Sequence, residues 1–255
     1  MATPQLLNSF LFLWMMAFVR AGGLLAMVPV FSGRNLPVPL RIAIAAFLGS
    51  VGLQAATGIA IPPTDVTGLI LAAAHELIIG LLMGLGVRLM FFALEMAGQI
   101  ISTEMGLVVS AQIDPVSQNN STPVGVALTL FGTLLFLLSG AHHAVFAAFA
   151  RSFALMPPGV IGFQRSAGEV FVQSTGSIFL LAVQMAAPLM AINFVVTLTF
   201  AILSKAAPGV NAFAESFPVR IATGLTLLAL ALGLTAQLVL SGLQQAPELM
   251  LRLIP

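Results

Sequence analysis

The sequence predicts an all-α integral membrane protein, and three observations carry that fold class. Hydrophobic residues make up 59% of the 255 and charged residues 7%, whereas a surface of normal polarity in water takes about 25% charged residues. The apolar residues gather into runs that approach or exceed the roughly 20 residues needed to cross hydrocarbon. Those runs also lack the alternation of a barrel strand, and in lipid each backbone polar group must be satisfied within its own segment, which a helix does.

Six segments follow, over about residues 6–30, 40–61, 68–100, 123–150, 173–204 and 218–243. The first opens on MATPQLLNSFLFLWMMAFVR, which has neither the basic n-region nor the small-residue cleavage site of a signal peptide, so a membrane segment is expected there. SGRNLPVP ends the first segment, AIPPTD the second, MPPGVIGFQRS the fourth and SKAAPGVNAFAESFP the fifth. Each is rich in residues that stop helices. No internal repeat is visible.

Composition also excludes functions. A net charge of +1 offers nothing to neutralise a run of phosphates, so no nucleic-acid partner is expected. Without cysteine there is no disulfide, thiolate site or Cys nucleophile. Ser102, Ser110 and Ser117 have no histidine in their stretch, so no catalytic residue is assigned. GLLMGLG at 80–86 lies inside a segment and not at a helix start, so it makes no phosphate cradle. His142 and His143 are adjacent, which on a helix points them about 100° apart and suits no chelate, so no metal and no cofactor are expected.

Charges inside the apolar runs are functional or structural suspects. Arg20 falls in the first segment, and Glu76, Arg88 and Glu95 in the third. Glu76, Gly80, Gly84 and Arg88 follow at i+4 steps, which puts them on one ridge with a small-xxx-small packing face at its centre. Glu76 and Arg88 are about 18 Å apart at 1.5 Å per residue, too far for a direct relay, so neutralisation between packed helices is the expected role. Arg20 suits either glutamate. Loops one, three and five hold four Lys/Arg, and the other side three. That near tie sets no orientation under the positive-inside rule and suggests that partner subunits fix the topology.

Several stretches carry a family resemblance. They are Arg20 with Pro29, Phe31, Pro37 and Arg41; HELIIGLLMGLG at 75–86; AGQIISTEMG at 97–106 leading to Asp114 and Pro115; SGAHHAVFAAFARSFALMPPG at 139–159; and AAPLMAINFVVTLTFAILSKAAPGVNAFAESFP at 186–218. Through them most of the chain resembles the FliR/SctT family, the export-gate membrane subunits of flagellar and type III secretion systems. Gly209 and Ser216 depart from the pattern expected in the last block.

The resemblance implies helical hairpins within a spiral hetero-oligomer around an export pore for unfolded substrates. Its members would be FliP-type and FliQ-type membrane subunits and a FlhB-type subunit, in the lipid of a bacterial inner membrane at the flagellar basal body. It implies that residues 1–165 form a FliP-like part that includes the loop 101–122, and 166–255 a FliQ-like hairpin. Pro208, Asn211, Phe213 and Pro218 would form a partner-contact turn. A stand-alone secondary transporter, with Glu76, Arg88 and Pro188 at a midplane site, and an injectisome subunit are the alternatives.

A connector of about twenty residues is usually functional or disordered. Here it carries an apolar patch and lacks Lys and Arg. Such a loop could fold into a lumen and close it, and the resemblance implies a pore plug from this connector. The expected closure residues are Met105, Gly106, Leu107, Val108, Val109, Ser110, Ile113, Asp114 and Pro115.

Overall fold

The structure, a computed structural model, describes residues 2–33, 36–55, 63, 65–108, 122–159, 166–209 and 211–254. Among them the helices are α1 Ala2–Met27, the single turn α2 Pro29–Ser32, α3 Val38–Ala55, α4 Val66–Glu104, α5 Pro123–Leu138, α6 Ala141–Leu155, α7 Ser166–Ala206 and α8 Ala212–Arg252. No strand occurs among the described residues. Five helices are long and apolar enough to cross a membrane, and α5 with α6 makes a sixth span if the bent pair is counted as one.

Local chemistry sets the helix ends. Asp65 caps α4, its carboxylate accepting from the Gly68 N–H at 3.0 Å. At the other end Gly106 sits at φ +75°. Its N–H donates to the Thr103 carbonyl at 3.0 Å and that of Leu107 to the Ser102 carbonyl at 2.9 Å, the paired bonds of a Schellman stop. Residues 101–104 therefore belong to α4, not to the loop expected over 101–122. Thr122 caps α5 through the Gly125 N–H at 3.2 Å.

Two further expectations are corrected. The segment read over 123–150 is broken: α5 and α6 meet at 70°. Gly140, at φ 72° and ψ 13°, supplies the left-handed backbone that an apolar count does not register. The stretch holding Pro208, Asn211, Phe213 and Pro218 is not one turn. Only Pro208 lies in the turn; Asn211 caps α8 by accepting from the Ala214 N–H at 3.3 Å, and Phe213 and Pro218 are inside the helix. The capped first turns of α8 contain Glu215 and Ser216, so they read as connector although they are helical. For the same reason α7 begins at Ser166, ahead of its apolar run, with Glu169 in a first turn that favours negative charge.

The helices form two compact units. The first holds residues 1–90, 136–175 and 242–255, the second 91–135 and 176–241. In the first, Met16, Ala17, Ala21, Leu24, Ile79, Met83, Phe149 and Phe153 are buried. In the second, Leu94, Ile101, Met105, Ala182, Ala186 and Leu189 are buried. Many hydroxyls bond within their own helix, as Thr197 does to Asn193, Thr223 to Val219 and Thr226 to Ala222. Ser and Thr are thereby tolerated on apolar helices, their donors being spent on carbonyls four residues back.

Candidate functional site

In the first unit Arg20 and Glu76 are completely buried and paired, Nε to Oε2 at 2.6 Å. Each donor group of the guanidinium has work. Nη1 donates to the Ser152 hydroxyl at 3.0 Å and Nη2 to the Met156 carbonyl at 3.0 Å, while the Phe153 ring lies 4.2 Å beneath it. The second carboxylate oxygen of Glu76 accepts from the Gly159 N–H at 3.2 Å, and the Ser152 hydroxyl donates in turn to the Phe149 carbonyl at 2.7 Å. The pair thus binds α1 and α4 to the C-terminal end of α6, where a cation also meets the negative end of the helix dipole.

Close backbone approach makes this possible. A side chain at Gly80 would run into the Arg20 carbonyl, one at Gly84 would come within 2.6 Å of the Leu24 carbonyl, and one at Gly23 within 2.8 Å of the Leu77 carbonyl. The expected small-residue ridge is therefore the α1–α4 contact. Of the four intramembrane charges, Arg20 and Glu76 are brought together, Arg88 is half-buried, and Glu95 is exposed beside Gln99 and Thr129.

The second unit holds the base of the proposed closure loop. Of the residues expected there, Met105, Gly106, Leu107 and Val108 are described; Val109, Ser110, Ile113, Asp114 and Pro115 lie outside the described residues. Met105 is 2% exposed. It fills the space that Gly224 of α8 leaves open: a Cβ there would meet Met105 Cγ at 2.6 Å and Sδ at 2.9 Å. A Cβ on Gly106 would meet the Phe217 ring at 2.5 Å, so the loop starts flush against α8. Its far end is fixed as well. Thr122 Oγ1 donates to the Gly98 carbonyl at 3.3 Å, and Gly98 and Gly125 touch backbone to backbone, which holds α4 and α5 together.

Glu104, the last residue of α4, accepts a short hydrogen bond from the Asn193 side-chain amide of α7. A small cavity of about 10 Å³ beside it is also lined by Met105, Arg220, Thr223 and Gly224. Sequence reasoning missed Asn193, Glu104, Phe217 and Gly224 as loop contacts, and Ser152 and Gly159 as partners of the ion pair. Asn193 and Glu104 carried a signal, each being a polar residue within a long apolar stretch. Nothing in the sequence pairs Gly224 with Met105. The rings of His142 and His143 lie 4.0 Å apart between centroids and are tilted by 42°, and no group of three His, Cys, Asp or Glu residues suited to a metal occurs among the described residues.

Comparison with known proteins gives a consistent result. Residues 11–246 match the family described as bacterial export proteins, family 1. The chain is similar to the flagellar biosynthetic protein FliR of Caulobacter vibrioides, 28% identical over 218 residues, 85% of this chain and 87% of that protein. It is similar to the FliR of Bacillus subtilis, 28% identical over 221 residues and 84% of each chain. It is also similar to the Yop proteins translocation protein T of Yersinia pestis, 30% identical over 168 residues and 64% of each chain.

Proposed function

Because this chain belongs to the bacterial export proteins, family 1, we propose that it is a core membrane component of a flagellar type III protein export gate, forming with partner subunits a gated pore for unfolded export substrates. It is a multi-pass protein of the bacterial inner membrane. The flagellar assignment over the injectisome one rests on the relatives: those matched across most of the chain carry flagellar names, and the Yop protein matches over 64%.

The observation that carries an assembly, as against a lone permease, is α7. Its exposed apolar residues run from Phe171 to Leu203, about 48 Å at 1.5 Å per residue, where the hydrocarbon core is about 30 Å thick. Laying all of that surface in lipid takes a tilt of about 51°, beyond the usual 0–40°. Part of it is then covered by protein. The proposed partners are FliP-type and FliQ-type subunits with a FlhB-type subunit nearby, and the proposed internal division is a FliP-like part over 1–165 and a FliQ-like hairpin over 166–255. In this reading Met105 to Pro115 closes the lumen at rest and moves aside for substrate, and the chain performs no chemical step.

The test is to isolate the tagged chain from native membranes in mild detergent. We expect a large hetero-oligomer containing other membrane subunits, together with loss of flagellar protein secretion when the gene is removed. A monodisperse, protease-resistant single chain with secretion intact would contradict the reading.

A further inference from the structure

We propose that Glu104, Asn193 and Arg220 form a releasable latch that holds the first residues of the closure loop in the closed position. The inference rests on the closure role given above and names what sets the position of that loop.

Two polar clusters among the described residues, one fully buried around Arg20 and Glu76 and one half-buried around Glu104, differ in how completely they are satisfied. Around Arg20 and Glu76, Nε, Nη1 and Nη2 each donate and both carboxylate oxygens accept. Such a closed set has no reason to rearrange. Around Glu104 one hydrogen bond, from the Asn193 amide, joins α4 to α7. Asn193 Oδ1 and Arg220 Nε are buried without a hydrogen-bond partner among the described residues, although both residues line the same small cavity as Glu104. Residues bearing a carboxylate, an amide and a guanidinium thus line one small cavity from three helices, with a donor and an acceptor left over. The arrangement is attractive enough to hold and incomplete enough to exchange partners when something better arrives.

Its place decides what it would hold. Glu104 is the last residue of α4, Met105 packs on Gly224 one turn beyond Arg220, and Gly106 meets Phe217 three residues before Arg220. The loop can leave α8 only if Met105 slides out past Gly224, and the Glu104–Asn193 bond opposes that step. The two glycines make the seat; the polar cluster sets how firmly it is kept.

The experiment uses the complete export complex in cells and reads leak of a small membrane-impermeant dye, with complex assembly measured in parallel. Asn193→Asp sets a carboxylate against Glu104 and is expected to raise leak about tenfold, as does a loss of about 1.4 kcal/mol of bias toward the closed state, with assembly unchanged. The double variant Asn193→Asp with Glu104→Gln restores one amide facing one carboxylate, in exchanged places, and is expected to seal again. Deletion of residues 106–113 serves as the reference. If the deletion leaks while Asn193→Asp stays tight, the latch is wrong and the closure role stands. If the deletion itself stays tight, the closure role fails and the latch with it. If Asn193→Asp and the milder Asn193→Ala both abolish assembly, the cluster is a folding element and the latch is overturned.

Discussion

Arg20 and Glu76 show at the residue scale why a charge can be kept inside so apolar a chain. Removing one member of a satisfied buried pair leaves the other uncompensated, at a cost of about 3–5 kcal/mol. Glu76→Leu is therefore expected to remove most assembled complex from the membrane, while Glu76→Gln, which keeps acceptor and shape, retains assembly and export; immunoblots of the complex and a secretion assay check both. A Gln variant that assembles fully yet exports nothing would instead point to a proton relay. The sequence exposed these residues because a charge in a hydrophobic run is conspicuous. It left open which glutamate Arg20 takes. The choice depends on Ser152, the Met156 carbonyl and Gly159, which lie at the end of a helix more than 130 residues away in sequence.

Elements are held by backbone proximity as much as by side-chain volume. At Gly98 a Cβ would lie 2.5 Å from the Gly125 backbone nitrogen, with no flexible side chain to yield. Gly98→Ala should lower the thermal stability of the purified complex by about 1–3 kcal/mol, as overpacking does. Gly22→Ala, where nothing lies within 4 Å of the new methyl, should leave it unchanged or slightly higher; thermal unfolding of the two variants side by side decides. The small-residue ridge at Gly80 and Gly84 was legible because its period is that of a helix. The Gly98–Gly125 contact was not, since neither has another glycine three or four residues away on its own helix. Helix existence was legible throughout, whereas the ends of α7 and α8 and the break at Gly140 were not. Capping and a single positive φ set those ends, and neither changes local hydropathy.

For the whole molecule, apolar surface is the governing quantity. In α4 61% of the most apolar window is buried, against 17% in α7 and in α8. The last two helices are thus built to be covered by something other than this chain. Expression without partner subunits should give aggregated or degraded protein, seen as loss of the monodisperse peak on size-exclusion chromatography, and co-expression with the partners should restore it. That a chain of this composition belongs in a membrane was legible at once. That it belongs in an assembly was legible from the near-even loop charges and the family resemblance; the exposed length of α7 adds a physical reason. The central claim is that the loop beginning at Met105 closes a pore, and the most direct measurement is ion or dye leak across the membrane of cells whose complex lacks residues 106–113. The account predicts that the complex still assembles, because α4 and α5 remain joined at Gly98 and Gly125, and that the membrane becomes leaky. A complex that assembles without the loop and stays as tight as the intact one would contradict it.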